Sequence, residues 1–182
     1  MKFWTFLLCC ALTIAAARAE DAPGAGYFDF ENGTQGWKVD WGLQTQPEQT
    51  DDEASNGEYS LVVEHHFKRG QESIGTRAEL DSITDFSADR DFLGFSAWIY
   101  FPGAAGWEAQ LYVASGENWD TSWGELYQDL KPGWHRIVIR KSEISNPTLV
   151  CSIGIQVKNY RVNTKSKVYI DNVQPMYAGA RR

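Results

Sequence analysis

The 182-residue chain carries 17 lysines and arginines against 24 aspartates and glutamates, a formal charge of −7. That balance excludes nonspecific nucleic-acid binding and adhesion to anionic lipid, both of which need basic patches. Aromatic residues make up 14% of the chain, enough to ask whether a core accounts for all of them.

Residues 1–19 read as a cleaved secretory signal. Lys2 supplies the positive start, residues 3–17 are an almost unbroken apolar run, and Ala17-Arg18-Ala19 gives the small-x-small pattern of a cleavage site before Glu20. The run is shorter than the roughly 20 apolar residues that span hydrocarbon, and no later segment of the sequence is long and apolar enough to do so. Neither Cys9 nor Cys10 follows the small residue of a lipoprotein signal. Loss of Lys2 and Arg18 with the leader leaves 15 basic against 24 acidic residues, a net charge of about −9. It also leaves Cys151 alone, so no internal disulfide can form and the fold must stand on its core. Cys151 precedes Ser152-Ile153-Gly154-Ile155 and reads as a small buried hydrophobe. Residues 20–26 are a flexible leader, residues 27–177 a single domain, and residues 178–182 a tail.

The domain shows short alternating runs divided by Gly, Pro, Asn and Asp, with no long helical periodicity. Strands are predicted at residues 27–31, at 37–41 with Trp37, Val39 and Trp41 on one face, and at 59–67 with Leu61 and Val63 inward. Residues 82–90 form either a short helix or an irregular crossing. Further strands are predicted at 95–101, closed by Pro102-Gly103, at 107–114, closed by Ser115-Gly116, and at 125–130, leading to Lys131-Pro132-Gly133. Residues 134–140, 153–158 and 168–173 complete the set. About nine short strands fit two antiparallel sheets packed face to face.

In this order the motifs resemble those of jelly-roll carbohydrate-binding modules of the galactose-binding-like type. Phe28-Asp29-Phe30-Glu31-Asn32-Gly33, followed by Gly36-Trp37, is similar to their opening strand, and Tyr59-Ser60-Leu61 to their second landmark. Residues 93–102 resemble the strand ending in a Tyr-x-Pro-like turn, and Pro132-Gly133-Trp134-His135 the entry to a long strand. Val168-Tyr169-Ile170-Asp171-Asn172-Val173 resembles the closing strand. The resemblance implies an all-β, two-sheet antiparallel jelly-roll β-sandwich. It also implies a secreted, non-catalytic module that holds polysaccharide and works with a separate glycan-degrading enzyme. Modules of this kind commonly hold one structural Ca²⁺ between the first and last strands. The matching residues here are Glu31 and Asp171, with Asp29 as a third candidate. A zinc site is not expected, because adjacent His65 and His66 point apart on a strand and His135 is isolated.

A sugar ring has apolar C–H faces and a rim of hydroxyls, so it is matched by flat aromatic rings and planar polar groups. Trp107, Trp119 and Trp123 cluster in sequence, and the last two lie in a polar, turn-like stretch that is a poor place to bury an indole. On the strand that begins at Trp107, Ala109, Leu111 and Val113 face the core while Glu108, Gln110 and Tyr112 share the other face. Ile153, Ile155 and Val157 likewise turn inward and Gln156 and Lys158 outward, and Glu125 and Tyr127 are expected to join that outer face. The expected glycan site is therefore Trp107, Glu108, Gln110, Tyr112, Trp119, Trp123, Glu125 and Gln156. Trp37 and Trp134 are read as packing residues, and Trp98, with Ser96 and Tyr100 on its face, as either packing or platform. The negative balance favours a neutral polymer. Plant-type β-glucan, mannan and xylan remain open.

Two rivals stand beside this reading. Arg77-Ala78-Glu79-Leu80 resembles an element of jelly-roll polysaccharide lyases, in which Arg77 and Glu79 would alternate onto one face and His66 or Tyr112 would serve as base or acid. The Gln-x-His and Tyr-Phe-Lys-x-Gly motifs of those enzymes are missing from the sequence. The other rival is a surface that docks a protein through an apolar patch.

Overall fold

A computed structural model describes residues 27–42, 45–103, 106–160 and 164–179. The signal peptide expected at 1–19 and the leader expected at 20–26 lie outside the described residues. Among the described residues eleven strands form two antiparallel sheets. The first sheet runs β1 (Lys38–Trp41), β4 (Ser73–Thr84), β10 (Val150–Asn159), β6 (Trp107–Ser115) and β7 (Asp120–Trp123), with β8 (Tyr127–Leu130) also paired to β6. The second runs β2 (Glu48–Thr50), β3 (Ser60–Phe67), β11 (Thr164–Tyr177), β5 (Phe92–Phe101) and β9 (Gly133–Arg140). The jelly-roll sandwich expected from the sequence is thus present.

Alternation decides which side chains meet between the sheets. Trp107, Ala109, Leu111 and Val113 of β6, with Ile153, Ile155 and Val157 of β10, close against Leu61, Val63 and Phe67 of β3, Phe95, Ala97, Ile99 and Phe101 of β5, and Ile137 and Ile139 of β9. Trp107, expected on the sugar platform, is a core residue. It is 1% exposed, stacks on Phe101 at 5.0 Å, and takes the edge of Phe67 at 5.1 Å. Trp107 has the parity of Ala109, so the same alternation that buries Ala109 buries it. Tyr127 is opposite Ala109 and packs against the core, so it does not join the outer face.

Three strands were not anticipated: β2, the 12-residue β4 and the short β7. The 82–90 stretch is the end of β4 followed by an irregular crossing, without a helix. Residues 27–31 form only a single bridge, Phe28 to Val173. The expected common face of Trp37, Val39 and Trp41 is broken by a register shift between Val39 and Trp41, where Asp40 is the extra residue opposite β4. Trp37 remains in the core, against Phe28 and Phe30, and Trp41 turns to the outer face of the first sheet.

His65 is a titratable group packed in the core. It is 1% exposed, lies edge-on to Phe67 at 4.7 Å, and contacts the Gln71 carbonyl through Nε2. Burial holds its imidazole below the usual histidine range of 6.5, against the opposing pull of that carbonyl. The unfolded chain therefore binds the proton first as pH falls. The neutral ring's contribution is complete above about pH 6.5 and is lost progressively below it. Urea denaturation at pH 7 and pH 5 should show lower stability at the acid end. His65→Phe should flatten part of that slope, and an unchanged slope in the variant would remove His65 as its source.

Candidate functional site

The outer face of the first sheet is a lattice of rows running across the strands. One row sets Trp41, Gly75, Gln156 and Gln110 side by side, and the next sets Lys38, Arg77, Gly154, Tyr112 and Trp123. Beyond them stands Ser73, Lys158 and Glu108 on one side. Gly75 and Gly154 have no side chain, and the neighbouring rings use the space. A Cβ on Gly154 would overlap the Tyr112 ring, and one on Gly75 would overlap the Trp41 indole. Both rings therefore lie down over the backbone of β10 and β4.

Three rings close on each other above this floor. Tyr112 is 5.5 Å from Trp41 and 5.0 Å from Trp123, and the two tryptophans are 6.1 Å apart. Pairs of this kind contribute about 0.5–1.5 kcal/mol each beyond their area. Tyr112 points outward yet is only 2% exposed, because the indoles cover it. Its hydroxyl donates to Asp40 Oδ2 at 2.7 Å. Burial first, and then the Asp40 carboxylate, push that hydroxyl far above the ordinary tyrosine range, so Tyr112 stays protonated. Asp40 Oδ1 in turn lies 3.5 Å from Arg77 Nε, and the Arg77 guanidinium stacks on Trp119 at 4.5 Å from the ring centroid. Trp119 sits in the left-handed region (φ 57°) between β6 and β7. Glu79 lies 3.7 Å from Arg77 and pairs with Lys38, which holds its carboxyl below the usual range.

Polar planar groups border the rings. Gln110 Nε2 donates to Gln156 Oε1 at 2.6 Å, Gln156 Nε2 donates to Ser73 Oγ at 3.0 Å, and Trp41 Nε1 donates to the same hydroxyl at 3.2 Å. Gln128 donates to Glu108 at 3.2 Å. Trp119 and Trp123 are 38% and 42% exposed, which leaves ring surface free for a ligand.

Of the eight residues read from the sequence, the structure brings together Glu108, Gln110, Tyr112, Trp119, Trp123 and Gln156. Trp107 is in the core, and Glu125 is exposed on the far side of Gly124, where it pairs with Arg140 of β9 at 3.4 Å. Trp41, Asp40 and Arg77 were missed as members of this site. The bulge at Asp40 hides the first two from any alternation pattern, and Arg77 was seen only as part of a lyase-like motif.

The three expected metal ligands do different work. Glu31 Oε1 accepts the backbone N–H groups of Glu58 and Tyr59 at 3.0 Å each. Asp171 Oδ2 accepts from Ser55 N, Ser55 Oγ and Asn56 N at 2.7, 2.8 and 2.9 Å, while Oδ1 accepts from Asn172 N. Asp29 Oδ1 accepts from Glu31 N and Gln35 Nε2 at 3.2 and 2.9 Å. Among the described residues no three His, Cys, Asp or Glu side chains gather as a metal site. The carboxylate oxygens named here accept N–H groups and the Ser55 hydroxyl.

A family model described as a mannanase, galactose-binding-domain-like module matches residues 28–172. The chain belongs to this family. Solved structures agree with the fold. A carbohydrate-binding module of the β-sandwich superfamily superposes with a TM-score of 0.61 at 21% identity, over 86% of this chain and 63% of that one. This chain therefore spans less than two thirds of that protein. A CBM28 module specific for non-crystalline cellulose gives 0.61 at 17% identity, over 81% and 91% of the two chains. A family 11 module from Clostridium thermocellum, in complex with a β-1,3-1,4-mixed-linked tetrasaccharide, gives 0.59 at 16%, over 86% and 98%. No curated protein matches the chain.

Two outcomes follow from this geometry. Gly154→Ala should displace Tyr112 from Asp40, cost about 1–3 kcal/mol in urea denaturation, and alter the near-ultraviolet circular dichroism. A wild-type spectrum would mean the ring is not seated on Gly154. The expected Ca²⁺ is tested by melting the wild-type protein with chelator and with added Ca²⁺: a rise of several degrees with Ca²⁺ would mean that Glu31, Asp29 and Asp171 also hold the ion, and no shift would mean that their hydrogen bonds alone join these segments.

Proposed function

We propose that the chain is a secreted, non-catalytic module that binds a neutral polysaccharide on the outer face of its first sheet. The observation that carries this is the ring cluster of Trp41, Tyr112 and Trp123, extended by Trp119 and bordered by Gln110, Gln156, Arg77 and Asp40. Exposed indoles suit the C–H faces of pyranose rings. The amides and charged groups offer donors and acceptors to vicinal hydroxyls. Lys38, Arg77 and Lys158 are offset by Asp40, Glu79 and Glu108, so the face has no net charge with which to hold a polyanion. The description of the matching family makes a mannan the first polymer to try. The partner implied is a glycan-degrading enzyme that shares the substrate.

The lyase reading loses support. His66 is on β3, on the outer side of the second sheet, whereas Arg77 is on the first. The Tyr112 hydroxyl donates a hydrogen bond to Asp40 and is held protonated, a poor state for a base.

Native affinity gels with galactomannan, mixed-linkage β-glucan, xylan and polygalacturonate test the proposal, with ultraviolet absorbance followed in parallel. Retardation by one neutral polymer without unsaturated product is the expected result. Trp123→Ala and Trp119→Ala should each weaken that binding about tenfold or more, roughly 1.4 kcal/mol; Trp119→Ala should leave the melting temperature nearly unchanged, whereas Trp123→Ala, which also loses its contacts with Tyr112 and Trp41, should lower it by a few degrees without unfolding the protein. Normal binding by both variants would remove this face as the site, and absorbance rising on polygalacturonate would restore the lyase.

A further inference from the structure

The second sheet also carries a ring row on its outer face. Tyr169 of β11, Tyr100 of β5 and Trp134 of β9 stand directly opposite one another in register. Their centroids are 5.8 and 5.4 Å apart, close to the 5.5 and 5.0 Å steps of Trp41, Tyr112 and Trp123. Parity explains the placement: Ile137 and Ile139 of β9, and Ala97, Ile99 and Phe101 of β5, are taken by the core, so Trp134 and Tyr100 must face out. Neither is buried, and Tyr169, 7% exposed, supports Tyr100 from the side.

The border of this row has the chemistry of the first site. On one side Glu53 approaches the Tyr100 hydroxyl, and its charge raises that group above the ordinary tyrosine range. Asp52 lies 3.5 Å from the Tyr169 hydroxyl and 3.1 Å from Lys167 Nζ. On the other side Trp98 and Arg136 stand opposite each other in register, and the guanidinium donates to Ser96 Oγ at 3.2 Å. Two acids and two bases thus surround the rings. Their charges cancel, which disfavours a polyanion and a polycation alike and leaves donors and acceptors for hydroxyl groups.

We propose that this face is a second glycan-binding surface, centred on Tyr100 and Trp134, that takes a neutral polyhydroxylated chain. It depends on the reading of the first face only for the choice of polymer. With sites on opposite sides of the sandwich, one molecule can hold two chains at once, and binding to a polymer gains from that valency.

Galactomannan is the polymer to use, with the full mature chain. Trp123→Ala should keep a residual retardation in the affinity gel, and adding Trp134→Ala should weaken that residue about tenfold. Wild type should cross-link galactomannan, read as light scattering, and Trp134→Ala should not. Trp134→Leu, which keeps apolar area over Tyr100 but offers no flat ring, guards against loss of fold and should behave like Trp134→Ala. If Trp123→Ala alone removes all retardation and both Trp134 variants scatter like wild type, the second surface is overturned while the first stands. If Trp134→Ala abolishes binding and Trp123→Ala does not, the second surface stands and the first reading fails. A wild type that is not retarded at all overturns both.

Discussion

Two adjacent strands lack a side chain at the centre of the first sheet's outer face, and the rest of that face is built on the gap. Gly75 and Gly154 let Trp41 and Tyr112 lie against the backbone, and only in that posture can Tyr112 reach Asp40. Asp40 is available because β1 bulges there. The bulge also turns Trp41 outward, over Gly75. A missing Cβ and an extra residue thus cooperate to bring three rings within about 6 Å of one another. The cost of the arrangement is modest: neither glycine needs a left-handed backbone, so the requirement at both positions is space alone.

The network continues outward from the buried ring to the exposed one. Tyr112 holds Asp40, Asp40 faces Arg77, and Arg77 carries Trp119. The Arg77–Asp40 pair is partly exposed and contributes little to stability by itself. Its value lies in orientation, since a planar cation flanked by a carboxylate presents a fixed surface to an indole. The same economy appears in the loop of residues 53–59, beside the second sheet. Glu31 and Asp171 grip its N–H groups, so the opening and closing motifs of the fold are joined through a third segment. Charge-assisted bonds of this kind are stronger than neutral ones, and Asp171 makes its four in a buried setting.

How much of this was legible in the sequence depended on parity. Strands β6 and β10 were readable because one face of each is wholly apolar, and alternation then placed Gln110, Tyr112 and Gln156 correctly. Trp107 was misplaced by grouping it with Trp119 and Trp123 along the chain, although its parity with Ala109 already pointed inward. The same reasoning would have turned Trp134 outward, opposite in parity to Ile137 and Ile139. Other features had no local signature. The 12 residues of β4 mix Ser, Gly, Thr, Arg and Glu with few apolar positions, and even its inward face includes the polar Thr76, so no alternation shows. The bulge at Asp40 is set by pairing with β4, and no pattern within β1 announces it. Glu31 and Asp171 were recognised as a pair, but whether they face a cation or N–H groups depends on a loop folded between them.

A sandwich has two outer faces, and in most such domains water covers at least one. Here the first carries a cluster of three rings and the second a transverse row of three, each with neighbouring groups of opposite charge. The two differ in one respect that bears on affinity. On the first face the middle ring, Tyr112, is covered by its neighbours, so a ligand meets mainly Trp123 and Trp119, which stand clear of the sheet. On the second face the middle ring, Tyr100, remains accessible, but its partners lie at steeper angles, 56° and 75° against 40° and 41° on the first. A sugar can stack on one such ring at a time. The first face should therefore bind the longer stretch of polymer and the second the shorter. In a polymer the weaker contact still matters, because once the first face is engaged, further segments of chain are held at high local concentration near the second.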